Sequence, residues 1–252
     1  MKYKKGIVRI GTSNIVVPGN QQTYPPAYQG KSRLNYYSSF FNSLEVNSSF
    51  YKVPMAATFK KWSLDVPDDF QFTVKLFKEI THAKELNTDL DLINNFLNAA
   101  NQLGNKKGCL LVQFPGKISI EYYSQVESIL SRINDYDKKK KWRIAVEFRH
   151  ASWYCGETFE LMDAHNASLV LHDIPKGRNA DVNKKAEFVF IRFHGPTGDY
   201  RGSYSDAALK EYADKIQNWL ISGKDVYAYF NNTMGSAFDN ARTLRRILNK
   251  EI

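Results

Sequence analysis

The sequence predicts an α/β fold: a single TIM-like (β/α)8 barrel over residues 1–252, with one βα unit degenerate. Three observations lead there. The chain has 252 residues, the usual size of such a barrel. Eight short apolar segments alternate with segments of helical periodicity, the pattern of parallel strands covered by helices. Polar residues recur where those apolar segments end, and a barrel gathers its strand ends at one mouth. No linker divides the chain.

In order, Ile7–Gly11 is the first strand, apolar around Arg9. Asn14–Gly30 is rich in Pro, Gly and Gln and lacks helical periodicity, so it reads as a long first loop over the mouth. A helix covers about Ser32–Phe41. Ser43–Ser48 is the second strand, where period-two alternation puts Glu45 and Asn47 on one face and Leu44 and Val46 on the other. Pro54 opens a helix to about Leu64, because a first-turn proline gives up no hydrogen bond. Phe70–Leu76 is the third strand, with Lys75 near its end and Thr81-His82 in the loop beyond. Asp89–Leu103 carries Leu92, Ile93, Phe96, Leu97 and Ala100 at helical spacing, and Gly104 stops it. Cys109–Phe114 is the fourth strand, with Gln113 near its end, and Ser119 caps a helix to about Ile133.

The fifth strand, Trp142–Arg149, runs into the cluster RIAVEFRHASW (Arg143–Trp153). Glu147 and Arg149 share one face and Val146 and Phe148 the other. A buried parallel strand is apolar on both faces, so ionised groups at its end require partners or a ligand. A helix at Glu157–His165 leads to the sixth strand, Ser168–His172. The polar connection Asp173–Ala186 is too short for a helix and is the degenerate unit. Glu187–His194 is the seventh strand, with Arg192 and His194 on one face. Gly195–Gly202 is a mouth loop. Ser205 caps a helix whose stripe of Leu209, Tyr212, Ala213, Ile216, Trp219 and Leu220 is core packing. Asp225–Asn231 is the eighth strand and Ala237–Leu248 the closing helix.

Apolar residues make up 43% and charged residues 24%, a globular composition that excludes a disordered chain. No apolar run is long enough to span a bilayer, and MKYKKGIVRIG lacks the features of a signal peptide. Two cysteines without metal-ligand spacing, Cys109 and Cys155, point to a reducing cytoplasm. The formal net charge of +9 favours an anionic small molecule or nucleic acid as partner; no membrane or protein partner is indicated. The tract Lys138–Lys141 reads as an exposed loop.

The strand ends supply the candidate site. Glu45, Glu147, His194 and Lys75 are the candidate catalytic groups: two carboxylates for acid–base work, a histidine for proton transfer, and a lysine that can bind an anion or form a Schiff base. Asn47, His82, Gln113, Arg149, Trp153, Arg192 and Asn231 are candidate substrate-binding groups. Arginines suit bidentate oxyanion recognition, and Trp153, with Tyr154 and Tyr200, can stack on a base or sugar. The structural alternative pairs Lys75 with Glu45 or Glu147, makes the carboxylates charge balance for Arg149 and Arg192, and leaves His194 a hydrogen-bonded core residue. No HExxH spacing occurs. A set of His172, Asp173, His194 and Glu147 is conceivable for a hard cation, but no metal is assigned and the cofactor stays open.

Several segments together resemble one family: IGTS (Ile10–Ser13), FFNSLEVNSSFYKVP (Phe40–Pro54), FTVKLFKEITH (Phe72–His82), LLVQFP (Leu110–Pro115), VEFRHASWY (Val146–Tyr154), FIRFHGP (Phe190–Pro196) and YAYFNNT (Tyr227–Thr233). The chain resembles the YecE-like family of uncharacterised proteins, domain of unknown function 72, over almost its whole length. The resemblance implies a TIM-barrel-like fold. It also implies that Glu45, Asn47, Lys75, His82, Gln113, Glu147, Arg149, Arg192, His194 and Asn231 are shared motif positions, without supplying a reaction. The chain departs from the family pattern at Asn14-Ile15-Val16, where Trp and Tyr are common, and at Thr233, where an acidic residue is common.

Three functions remain open from the residues: an enzyme acting on a phosphorylated or nucleic-acid substrate at the barrel mouth, a non-catalytic anion- or nucleic-acid-binding module, and a metal-assisted sugar isomerase or epimerase using Glu45 and Glu147.

Overall fold

The computed structural model describes residues 5–139 and 141–250. Met1–Lys4 of the basic N-terminal segment and Lys140 of the lysine tract lie outside the described residues; Lys138, Lys139 and Lys141 are exposed, as expected of a loop. The elements run β1 (Val8–Thr12), α1 (Arg33–Ser38), β2 (Ser43–Val46), α2 (Ser48–Tyr51), α3 (Ala56–Leu64), β3 (Gln71–Lys75), α4 (Lys78–Thr81), α5 (Asp91–Ala100), β4 (Lys107–Phe114), α6 (Tyr123–Tyr136), β5 (Arg143–Phe148), α7 (Gly156–Ala164), β6 (Ala167–Leu169), β7 (Leu171–His172), β8 (Phe188–Phe193), α8 (Asp206–Ile221), β9 (Asp225–Phe230) and α9 (Ala237–Lys250). The alternation of strands and helices follows the sequence expectation closely.

The strands form two sheets, ordered β1-β9-β8-β7 and β2-β3-β4-β5-β6, and every strand pairing is parallel. The sixth expected strand is split: β6 pairs with β5, β7 pairs with β8, and Val170 lies between them. On the opposite side an isolated parallel bridge joins Ser13 to Glu45, and the Asn14 N–H donates to Glu45 O at 2.8 Å. Gly11 permits this approach, because a Cβ there would meet Ser43 O at 2.1 Å.

The inner faces of the two sheets meet. Cys109, Leu111 and Ala145 of one pack with Phe188, Phe190, Tyr227 and Tyr229 of the other. Tyr229 Oη lies 2.6 Å from Ser43 Oγ and 2.8 Å from Thr73 Oγ1. A larger apolar cluster packs the outer strand faces against the helices. On α8, Leu209, Ala213, Ile216 and Leu220 are buried and Tyr212 and Trp219 partly so. Ser205 caps that helix, accepting from the Ala208 N–H at 3.2 Å.

Some local expectations are corrected. Ser119 makes no side-chain cap; a 3-10 turn at Ile120–Tyr122 precedes α6, and the Ser119 hydroxyl turns to Glu121. Thr81, expected in a loop, ends α4, so His82 stands at a helix C-terminus. The connection from Asp173 to Ala186 has a 3-10 turn at Pro175–Gly177 and no α-helix, as the degenerate unit requires. No helix among the described residues is long and apolar enough to cross a membrane. Cys109 and Cys155 are free thiols.

Candidate functional site

Strand alternation directs Glu45, Glu147 and Arg192 to the inner face near the C-terminal ends of β2, β5 and β8. All three are essentially fully buried. Arg192 donates from Nε and Nη2 to Glu45 Oε2 and Oε1 at 2.9 and 2.8 Å, and from Nη1 to Glu147 Oε2 at 2.8 Å. Ser13 Oγ donates to Glu45 Oε1 at 2.6 Å. Buried charges persist only when paired and hydrogen-bonded, and this cluster meets that condition. Burial alone would push the Glu147 carboxyl up, but Arg149 and Arg192 outweigh it and hold it well below the usual carboxylate range. These contacts are those of charge balance: Arg192 has donors turned to both carboxylates and Glu45 is clamped by a bidentate fork.

Arg149 lies nearer solvent, its side chain 16% exposed. It pairs through Nε with Glu147 Oε1, donates from Nη1 to Tyr200 Oη at 3.3 Å, and presents Nη2 to His194 Nε2 at 3.2 Å. Arg192 Nη1 also faces that nitrogen, at 3.3 Å. A guanidinium only donates, so His194 Nε2 is an acceptor and the ring proton belongs on Nδ1, 3.3 Å from Asp173 Oδ1. Burial, with Arg192 and Arg149, pushes His194 down to about 4 despite Asp173. His194 is therefore a neutral, hydrogen-bonded core residue, its backbone N–H also bonded to Asp173 Oδ1 at 2.8 Å.

Lys75 is different. Its Nζ donates to the neutral amide of Gln113, Oε1 at 2.8 Å, and lies 4.0 Å from the centroid of the Phe50 ring. Among the described residues no carboxylate forms a salt bridge with it, so the expected Lys75 pair with Glu45 or Glu147 is not formed: both carboxylates are held by arginines. Burial first, then Arg192, pushes Lys75 down to about 8. His82 also packs against Phe50, the ring centroids 4.8 Å apart, and its Nδ1 lies 2.8 Å from Thr81 Oγ1. Burial, then Lys75, Lys117 and Arg149, pushes His82 down to about 4. Three cations thus act on one half-buried imidazole.

Asn47 follows β2, directly after the last register pair Val46↔Val74, and already has helical φ/ψ at the start of α2. Its N–H donates to Asn14 Oδ1 at 3.2 Å, while its own Oδ1 is buried without a partner. Asn231 follows β9, its N–H bonded to Phe193 O at 2.7 Å. Trp153 is not at the surface of the site. It is fully buried, stacked on Phe148 at 4.1 Å, with Nε1 donating to Ile118 O at 2.8 Å; no face is left for a ligand. Tyr154 likewise bonds Phe148 O at 2.7 Å.

Sequence reasoning missed Phe50 and Lys117. Phe50 lies within the segment FFNSLEVNSSFY, and its proximity to a strand end was the available signal; Lys117, in the loop after Pro115-Gly116, carried none. Among the described residues no group of three or more His, Cys, Asp or Glu side chains is placed to hold a metal ion. The conceivable set of His172, Asp173, His194 and Glu147 does not assemble: His194 Nε2 faces two guanidiniums, and His172 Nε2 lies 2.9 Å from Tyr154 Oη and 3.1 Å from Phe148 O.

The family described as "Protein of unknown function DUF72" matches residues 9–252. The chain belongs to this family. It is similar to UPF0759 protein YunF of Bacillus subtilis strain 168, 26% identical over 268 residues and covering 90% of each chain. It is also similar to UPF0759 protein YecE of Escherichia coli K12, 30% identical over 86 residues, 34% of this chain and 32% of YecE. Among solved structures it resembles a DUF72 protein of Enterococcus faecalis V583, with TM-score 0.79, 23% identity and 96% of both chains covered. It further resembles a DUF72 protein of Thermotoga maritima MSB8, with TM-score 0.72, 24% identity and 96% and 99% covered. SacUVDE shares the fold at TM-score 0.62 and 6% identity, over 98% and 99% of the chains. The resemblance read from the strand-end motifs is thereby established, and with it a DUF72 fold of mixed α/β type built on parallel sheets.

Proposed function

We propose that this DUF72 chain is an enzyme for an anionic small-molecule substrate, bound at the C-terminal strand ends of one (β/α)8 barrel that both sheets complete as a single domain. The observation that carries the reading is Lys75, a partly buried cation held by a neutral amide and a ring face rather than by a carboxylate. An anion beside it supplies a direct counter-charge, where Glu147 and Glu45 act on it without a salt bridge. Arg149 and Lys117 reinforce the positive field, since both act with Lys75 on His82. Glu45, Glu147 and Arg192 hold the scaffold, and Lys75 is the group free to do chemistry.

Titration calorimetry with inorganic phosphate tests this. Wild type binds, and Lys75→Met loses about tenfold or more in affinity, the worth of a charged hydrogen bond. Absence of phosphate binding, or equal binding by Lys75→Met, overturns the proposal.

A second reading, nucleic-acid binding, is favoured by a separate feature. A groove of about 570 Å³ between α1 and α9 is lined by Arg242, Arg245 and Arg246 beside Phe40. Contact with a phosphate backbone there predicts oligonucleotide binding that weakens steeply with salt and is lost in Arg242→Ala/Arg246→Ala, with phosphate binding at Lys75 unchanged.

A further inference from the structure

Among the described strand-end side chains, nucleophiles are few and mostly engaged. The Ser13 hydroxyl donates to Glu45, the Thr73 hydroxyl bonds Tyr229, and the His194 acceptor nitrogen faces two guanidiniums. Cys109 is fully buried within the inner apolar cluster. The Lys75 amine has one described hydrogen bond, to Gln113 Oε1, and Nζ has three donor positions. Its Nζ lies over the face of Phe50, 4.0 Å from the ring centroid; the ring attracts the ammonium and covers one side of it, while burial favours the uncharged amine. Gln113, which holds the amine, pairs in register with Glu147 on the next strand, and Glu147 holds Arg149, so the amine and a partly exposed guanidinium belong to the same pair of strand ends.

We propose that Lys75 forms an imine with an anionic carbonyl compound, an aldehyde or ketone bearing a carboxylate or phosphate, with Arg149 taking the anionic group. This deepens the anionic-substrate reading and rests on it. In the step, the ammonium gives up a proton and its nitrogen adds to the carbonyl carbon. The carbonyl oxygen takes up protons and leaves as water, and a C=N bond replaces the C=O bond. Ammonium plus carbonyl gives iminium plus water, so charge and protons balance without another reactant. The iminium N–H inherits the ammonium's hydrogen bond to Gln113 Oε1 and its place beside Phe50. Its carbon becomes an electron sink, which is the use a desolvated lysine has in carbonyl chemistry.

The test is reductive trapping of the full chain with borohydride and two anionic aldehydes, pyridoxal 5′-phosphate and the much smaller glyoxylate, followed by peptide mass mapping. Lys75 is expected to be modified ahead of the exposed Lys138, Lys139 and Lys141, with inorganic phosphate protecting it. Uncharged pyridoxal, or Arg149→Met treated with either anionic aldehyde, should label Lys75 about tenfold less, the loss of one charged contact. Modification spread over exposed lysines with Lys75 spared by both anionic aldehydes overturns the imine. If calorimetry still shows phosphate binding that depends on Lys75, the anion site stands and only the imine falls. If phosphate binding fails too, both fall.

Discussion

Arg149 Nη2 points at His194 Nε2 across 3.2 Å, a pairing of a permanent cation with an imidazole that stays neutral. The consequence is a pH dependence of stability with a definite sign. The unfolded chain protonates this histidine near 6.5 and the folded chain near 4. Between those values the unfolded state holds more protons, so stability rises with pH. The contribution is complete above pH 6.5, is lost as pH falls from 6.5 to 4, and changes no further below.

The first prediction follows. Melting curves of wild type should show destabilisation setting in near pH 6.5, with up to about 3 kcal/mol from His194 lost by pH 4. His82 and His172, also shifted down by burial, act in the same direction. His194→Gln should flatten the dependence in this window. An unchanged slope would show that His194 is protonated in the fold.

Lys75 carries a cost of its own. Its proton affinity falls from 10.5 in the ordinary range to about 8 in the fold, so the unfolded state holds more protons between pH 8 and 10.5 and stability rises with pH there. Below pH 8 the folded protein bears the whole penalty. Lys75→Met should therefore gain about 1–2 kcal/mol at pH 7, after the lost hydrogen bond to Gln113 is deducted, and little near pH 10.5. Urea unfolding at the two pH values reads this; a destabilised variant at pH 7 would refute it.

Glu147 and Arg149 should respond differently to conservative change. Glu147→Gln leaves two guanidiniums short of a carboxylate and should cost about 3–5 kcal/mol. Arg149→Lys keeps the charge at a partly exposed position but loses the planar fork toward Tyr200 and His194, so it should weaken phosphate binding and change stability by less than about 1 kcal/mol. Thermal melts with and without phosphate separate the two, and equal destabilisation by both changes would contradict the assignment of Arg149 to the ligand.

Arg192→Met strands Glu45 in the interior and leaves Glu147 to Arg149 alone. Without its guanidinium partner Glu45 resists ionisation, so the variant should lose stability as pH rises through the carboxylate range, opposite in sign to the wild-type histidine effect. At pH 7 the loss should reach about 3–5 kcal/mol or more. Chemical denaturation at pH 4 and pH 7 checks it; a variant equally stable at both values would argue against paired buried carboxylates.

Much of the site was legible because acidic and basic residues interrupt strands that are otherwise apolar. Glu45, Glu147, Arg192 and Lys75 stand out on that ground, and period-two alternation turns each inward. Which charge meets which was not legible: Arg192 lies 147 residues from Glu45, and only the packing of two sheets decides that it takes both glutamates and leaves Lys75 to an amide. Trp153 misleads in the sequence because a loop aromatic next to Arg149 resembles a stacking platform, whereas its ring drops onto Phe148 under the loop. The split at Val170 leaves no trace either, since Leu169–Leu171 is an unbroken apolar run and the break arises from which neighbour each half pairs with.

Arg192 is rooted in β8 of the four-stranded sheet, and the carboxylates it holds are rooted in β2 and β5 of the five-stranded one. Parting the sheets even locally would expose one oil-buried cation and two anions to each other's absence at once. The halves therefore lack a cheap route to open singly, and amide protons in β2, β5 and β8 should exchange through one shared, global event rather than through separate fluctuations of each sheet.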